Sequence, residues 1–119
     1  MARVKVILIT TPPGKGEEIA RLLVEERLAA CVNVVKGIRS FYWWEGKVNV
    51  DDEELLVVKT RGEAVGKLVK RVKEVHPYTV PEVIALDVSE GNEDYIKWVV
   101  EEVKNVDSSS VSEAGGGEG

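Results

Sequence analysis

Two long extended runs folded back on each other constrain this chain most. From Cys31 to Trp44 the residues are rich in Val, Ile, Phe, Tyr and Trp, and after Glu45-Gly46 a second run continues from Lys47 to Thr60. β-Branched and aromatic side chains suit a pleated, half-buried surface, so the segment reads as a β-hairpin. At ~3.3 Å per residue each arm of about 14 residues spans roughly 46 Å, against roughly 23 Å for the seven-residue apolar run 4–10. A hairpin of that length must project beyond its sheet. Its outer half carries Phe41, Tyr42, Trp43 and Trp44, an apolar patch that a lone chain exposes at a cost of aggregation and that another subunit is expected to cover.

The rest of the pattern supplies the sheet. Residues 4–10 read as a buried strand closed by Thr11-Pro12-Pro13-Gly14, and Ile19, Leu22, Leu23 and Ala30 predict a helix over about 16–29 with Glu17 and Glu18 favouring its dipole. Thr60-Arg61-Gly62-Glu63 fits a capping box for a second helix running to about Val75, with Val65, Leu68, Val69 and Val72 on one stripe. Pro77 and Pro81 forbid its continuation, residues 83–88 read as a last strand, and Asn92 caps a third helix whose apolar face holds Ile96, Val99, Val100 and Val103. The order β-α-β-β-α-β-α predicts an α+β fold, a ferredoxin-like βαββαβ sandwich with an additional C-terminal helix and a long projecting β-hairpin. The inner strands are apolar on both faces (Val4, Val6, Leu8 against Ile7, Ile9), yet crossover helices cover only one, so the free face is also expected to be an interface. Residues 1–104 form the single expected domain, and the Ser/Gly-rich stretch 105–119 is expected to be a disordered tail.

Composition narrows function. A chain of 119 residues leaves no room for a second catalytic domain, and a net charge of −5 gives no general field for a polyanion, so nucleic acid is not an expected partner. One cysteine, Cys31, and one histidine, His76, exclude an intrachain disulfide and a Cys/His zinc cluster built from one chain. The first apolar run is too short to span a membrane and lacks a small-residue cleavage site, which predicts a cytoplasmic protein with no membrane partner. No nucleophile–base–orienter set is ordered in the sequence, so an enzyme is not expected.

Three motifs carry chemistry. Gly14-Lys15-Gly16 between strand and helix has the place of a phosphate loop but not its pattern, and reads as a plain turn. In Asp51-Asp52-Glu53-Glu54 neighbours point to opposite faces, so Asp51/Glu53 or Asp52/Glu54 could converge on a hard cation, with a solvated edge as the default. In His76-Pro77-Tyr78-Thr79-Val80-Pro81-Glu82 two prolines stiffen a loop presenting His, Tyr and Glu. That loop either positions an acid, a base or metal ligands, or is structural, with Tyr78 bonding backbone and Glu82 pairing with Lys59.

Ala29-Ala30-Cys31-Val32-Asn33, the run Phe41 to Lys47, Lys59-Thr60-Arg61, His76-Pro77-Tyr78-x-x-Pro81-Glu82 and Asn92-Glu93-Asp94-Tyr95-x-x-Trp98 together resemble the CutA divalent-cation tolerance proteins over residues 4–104. The resemblance implies a ferredoxin-like homotrimer with intersubunit β-arms, similar to PII signalling proteins, that binds copper or other divalent cations. It places Cys31 and His76 at metal-associated positions and Tyr78, Glu82, Lys59, Trp44, Tyr95 and Trp98 along an intersubunit cleft; because copper(II) accepts imidazole and carboxylate, His76 with Glu82 or a hairpin carboxylate is the expected metal site. Thr10 and Val75 stand where some members carry a further Cys and His, which reduces the soft ligands and favours copper(II). A PII-like trimer binding a small anionic ligand in those clefts is the alternative.

Overall fold

The computed structural model describes residues 3–104, so the expected tail lies outside the described residues. In chain order the elements are β1 (Val4–Thr11), α1 (Gly16–Glu25), β2 (Cys31–Trp44), β3 (Lys47–Arg61), α2 (Val65–Val75), β4 (Val83–Asp87) and α3 (Glu93–Glu102), with a short 3-10 turn at Gly62–Ala64. The sheet order is β2-β3-β1-β4 with every pairing antiparallel, the ferredoxin-like arrangement that the element order predicts. No helix among the described residues is long and apolar enough to cross a membrane.

Strand alternation divides the side chains cleanly. Ile7 and Ile9 of β1 and Leu56 and Val58 of β3 point to one face, where Ile19 and Leu23 of α1 and Leu68 and Val72 of α2 bury them. Val4 lies on the other face, in a smaller cluster with Ile96 and Val99. α3 therefore covers one end of the face left open by the crossover helices. Beyond it, Ile84 and Leu86 stay about half exposed, at 50% and 49%. The two helices of the covered face are also tied at their surface, where Arg71 makes a two-pronged contact with Glu26 at 2.9 and 2.8 Å. Those hydrogen bonds hold the Glu26 carboxyl below the usual carboxylate range.

Two local expectations are corrected. α1 stops at Glu25 rather than near residue 29: Arg27 takes a left-handed conformation (φ 62°), and the amides of Leu28 and Ala29 both reach the Leu23 carbonyl, at 3.0 and 3.2 Å. This turn drops Leu28 and Ala29 into the core. The capping box is not formed, because β3 continues to Arg61, paired with Val4. Thr60 thus stays in the strand, its hydroxyl donating to the Leu28 carbonyl at 2.6 Å, while Glu63 accepts from Arg61 instead. At α3 the expected cap is present, with Asn92 Oδ1 accepting from the Asp94 amide at 2.9 Å.

The hairpin projects beyond the sheet, as its length predicts. β3 pairs with β1 only from Glu54 onward, so Lys47–Glu53 is bonded to β2 alone as a two-stranded ribbon. A bulge between Val35 and Ile38, with Gly37 at φ 77°, marks the departure. Along the ribbon Phe41 faces Val50 and Trp43 faces Val48, making one side apolar toward its tip, with the Arg39–Asp52 ion pair on that side nearer the base. Tyr42 faces Asn49 and Ser40 faces Asp51 on the other.

Glu54, at the root of the ribbon, is only 6% exposed, and its carboxylate accepts the amides of Gly14 at 3.1 Å and Gly16 at 3.0 Å. The turn that resembles a phosphate loop thus holds an anion belonging to the chain itself. A Cβ at Gly16 would meet Glu54 Oε1 at 2.5 Å, so a larger residue there must displace the carboxylate from its place on the amides. Glu54→Ala is expected to cost about 2–4 kcal/mol, read as a lower urea midpoint at unchanged slope, because two amides lose a charged acceptor in a buried site.

Candidate functional site

A cleft of about 740 Å³ opens where the ribbon meets the loop after α2. One wall comes from the polar side of the ribbon, with Tyr42, Trp44 and Glu53, and the other from Tyr78, Val80 and Glu82. Both walls follow from the chain's local rules. Glu53 shares strand parity with Asp51, and Pro77 forces His76 into an extended conformation (φ −77°, ψ 137°) that ends α2 and turns Tyr78 toward the ribbon.

Polar contacts lock this geometry. Tyr78 donates its hydroxyl to Glu53 Oε2 at 2.7 Å, and Tyr42 donates its hydroxyl to Asp51. Burial and the Glu53 hydrogen bond raise the Tyr78 phenol far above the ordinary tyrosine range, so this contact persists across neutral and mildly alkaline pH. The Asp51 bond raises Tyr42 in the same direction. Glu53 is 6% exposed, and Tyr78 is its only hydrogen-bond or ionic partner among the described residues. Among the described residues no Lys, Arg or His lines the cleft.

His76 lies behind the cleft wall. The Tyr78 amide donates to its Nδ1 at 3.0 Å, which leaves the proton on Nε2 to donate to the Thr10 carbonyl at 2.8 Å. Its ring also packs on that of Tyr78, with centroids 4.7 Å apart. Neither nitrogen is left for a metal, and the structural alternative for this loop takes a form of its own: Tyr78 bonds a carboxylate rather than backbone. Glu82 does not pair with Lys59, whose ammonium donates to Asn33.

The sequence-derived residues fall into two groups. Trp44, Tyr78 and Glu82 line the cleft, with His76 directly behind it. Cys31 pairs with Lys59 in the sheet, Lys59 in turn with Val6, four residues along β1 from Thr10, a separation of roughly 13 Å. There Tyr95 contacts Cys31 and stacks on Trp98 at 5.5 Å, and burial together with Cys31 raises the Tyr95 phenol. One chain therefore does not assemble His76, Cys31 and Glu82, and among the described residues no three His, Cys, Asp or Glu side chains converge as metal ligands would. Sequence reasoning underweighted Glu53 and Tyr42. The parity of Asp51 and Glu53 was the available signal, but the phenols that hold them come from the opposite strand and from a loop 25 residues away.

Residues 5–102 match the family described as CutA1 divalent ion tolerance protein. The divalent-cation tolerance protein CutA of Thermus thermophilus is 54% identical over 98 residues, covering 82% of this chain and 95% of that protein. A solved structure of the Thermus thermophilus protein aligns with a TM-score of 0.83 at 52% identity, over 85% of this chain and 99% of the other. The PII-like protein CutA from Nostoc aligns with a TM-score of 0.80 at 38% identity, over 84% and 97%.

Proposed function

The chain belongs to the CutA1 divalent ion tolerance family, and on that footing we propose that it is a homotrimeric, non-catalytic cation-binding protein of divalent-cation tolerance, with the arm-base cleft as the place where cations are received. One observation carries this reading: Glu53 is a buried carboxylate on a cleft wall with no cationic partner among the described residues. A charge taken out of water demands a counter-charge, and the cleft is the direction from which one can arrive. Copper(II) is the metal the reading puts first, since it accepts carboxylate oxygen, and it meets an open cleft of oxygen donors rather than a closed resident site. The apolar side of the ribbon and the open end of the sheet face support the trimer. Assembly would also be the only way for Lys59, Tyr95 and Trp98 of one subunit to approach the cleft of a neighbour. The same proposal places the protein in the cytoplasm, where the free thiol of Cys31 stays reduced. An anionic ligand is the weaker reading because, among the described residues of one chain, the cleft lining holds carboxylates and no basic side chain.

Calorimetric titration with copper(II) tests the assignment. Glu53→Gln, which keeps an acceptor for Tyr78, is expected to weaken binding ~10-fold or more, and Cys31→Ser to leave it within about twofold. Loss of binding in Cys31→Ser beside an unchanged Glu53→Gln isotherm would overturn it.

A further inference from the structure

We propose that the acidic segment 105–119 of this chain docks, as a salt-sensitive latch, in the basic groove between α2 and the turn that follows α1. The groove is about 260 Å³, lined by Glu26 and Leu28 on one side and by Lys67, Lys70, Arg71 and Glu74 on the other. α2 runs against the charge of the chain. It carries the cations Lys67, Lys70, Arg71 and Lys73 against Glu74 alone, in a protein of net charge −5. Lys67, Lys70 and Arg71 recur at i, i+3 and i+4, so they share one side of the helix. Both carboxylates of the groove are taken by Arg71, which reaches Glu26 at 2.9 and 2.8 Å and Glu74 at 3.1 Å. Lys67 and Lys70 have no ion pair among the described residues, so their ammonium groups are open to an anion from elsewhere.

The point where the described residues stop selects the occupant. The Lys104 amide donates to the Arg27 carbonyl at 3.0 Å, and Arg27 stands in the chain between Glu26 and Leu28, the two residues of the groove's first side. The segment therefore starts at the groove's edge. Residues 105–119 contain Asp107, Glu113 and Glu118 and no Lys, Arg or His. At ~3.3 Å per residue, Asp107 can lie up to roughly 10 Å from Lys104 and Glu113 up to roughly 30 Å. The stripe from Lys67 to Arg71 is only about 6 Å long, at ~1.5 Å per residue. Reach is ample for either carboxylate. One exposed ion pair strengthens binding by no more than about fivefold, too little to hold a separate peptide. Attachment beside the groove supplies an effective concentration on the order of millimolar, which makes two or three such pairs sufficient within one chain. The latch then keeps the ammonium groups of α2 from other polyanions until salt releases it.

The test attaches a nitroxide spin label at Ser112→Cys in the full-length Cys31→Ser protein and reads paramagnetic broadening of backbone amide signals. At ~10 mM salt, where the Debye length is about 30 Å, the amides of Lys67, Lys70 and Arg71 are expected to broaden at least ~3-fold more than when Asp107→Asn, Glu113→Gln and Glu118→Gln are also present. At ~1 M salt, with a Debye length of about 3 Å, that difference is expected to vanish. Lys67→Gln with Lys70→Gln is expected to release the segment as fully as neutralising it does. Equal broadening by the charged and neutral segments at low salt, or a difference that survives ~1 M salt or the loss of both lysines, would overturn the proposal. Refolding spin-labelled chains together with isotope-labelled chains that lack the label tells a chain's own groove from a neighbour's. Unbroadened α2 signals in the label-free chains support docking within one chain, and equally broadened ones overturn it in favour of a second copy.

Discussion

Trp43→Ala is expected to shift the proposed trimer toward monomer on dilution into the micromolar range, whereas Trp44→Ala and Lys47→Ala keep the wild-type mass by light scattering. The difference comes from strand parity. Trp43 is 74% exposed in the single chain and shares a ribbon face with Phe41 at 68%, Val48 at 55% and Val50 at 40%. The ribbon has no sheet neighbour along Lys47–Glu53, and an isolated two-stranded ribbon with an apolar side is not stable in water unless something covers it. An indole presents on the order of 200 Å². Burying three-quarters of that is worth up to about 4 kcal/mol, and tryptophan anchors in interfaces lose about 2–4 kcal/mol on truncation. At about 1.4 kcal/mol per decade, this is a weakening of ~30-fold or more for each contact. A wild-type protein that scatters as a monomer at micromolar concentration would defeat the trimer. Dissociation of Trp44→Ala at the concentration that dissociates Trp43→Ala would show that both ribbon faces are interface.

Position along the chain was readable from sequence where one element's pattern decided it. The order of strands and helices, the over-long hairpin and the Asn92 cap all rest on near-neighbour spacing, and each is found in the structure. The Thr60–Glu63 motif misled because a capping box is a local preference worth about 1 kcal/mol, while continued pairing of Arg61 with Val4 and the buried Thr60–Leu28 bond are tertiary gains. Glu53 and Glu54 show the other limit. Alternation sends them to opposite faces, which is visible in four consecutive letters. That one meets the amides of Gly14 and Gly16, and the other a phenol from beyond α2, depends on contacts 25 to 40 residues distant. The aromatic run was legible as an exposed apolar patch, but not which tryptophan belonged to which face until the register across Glu45-Gly46 was known.

His76 carries the second large expectation: His76→Ala is expected to lower folding stability by about 3 kcal/mol while changing copper(II) affinity of the folded protein by less than about threefold. The ring is 7% exposed and sits between two backbone groups, accepting from the Tyr78 amide and donating to the Thr10 carbonyl. Truncation leaves both without partners, at about 1 kcal/mol or more each, and removes the ring that packs on Tyr78. His76→Phe separates the two terms, since it restores the packing but neither hydrogen bond. Its loss should be near 2 kcal/mol in urea unfolding. Because Tyr78 in turn holds Glu53, both variants are also expected to loosen the cleft wall, seen as faster amide exchange at Tyr78 and its neighbours before any global unfolding. If His76→Ala instead melts like wild type and loses copper(II), the histidine is a ligand after all, and its two backbone bonds must yield to the metal when it arrives.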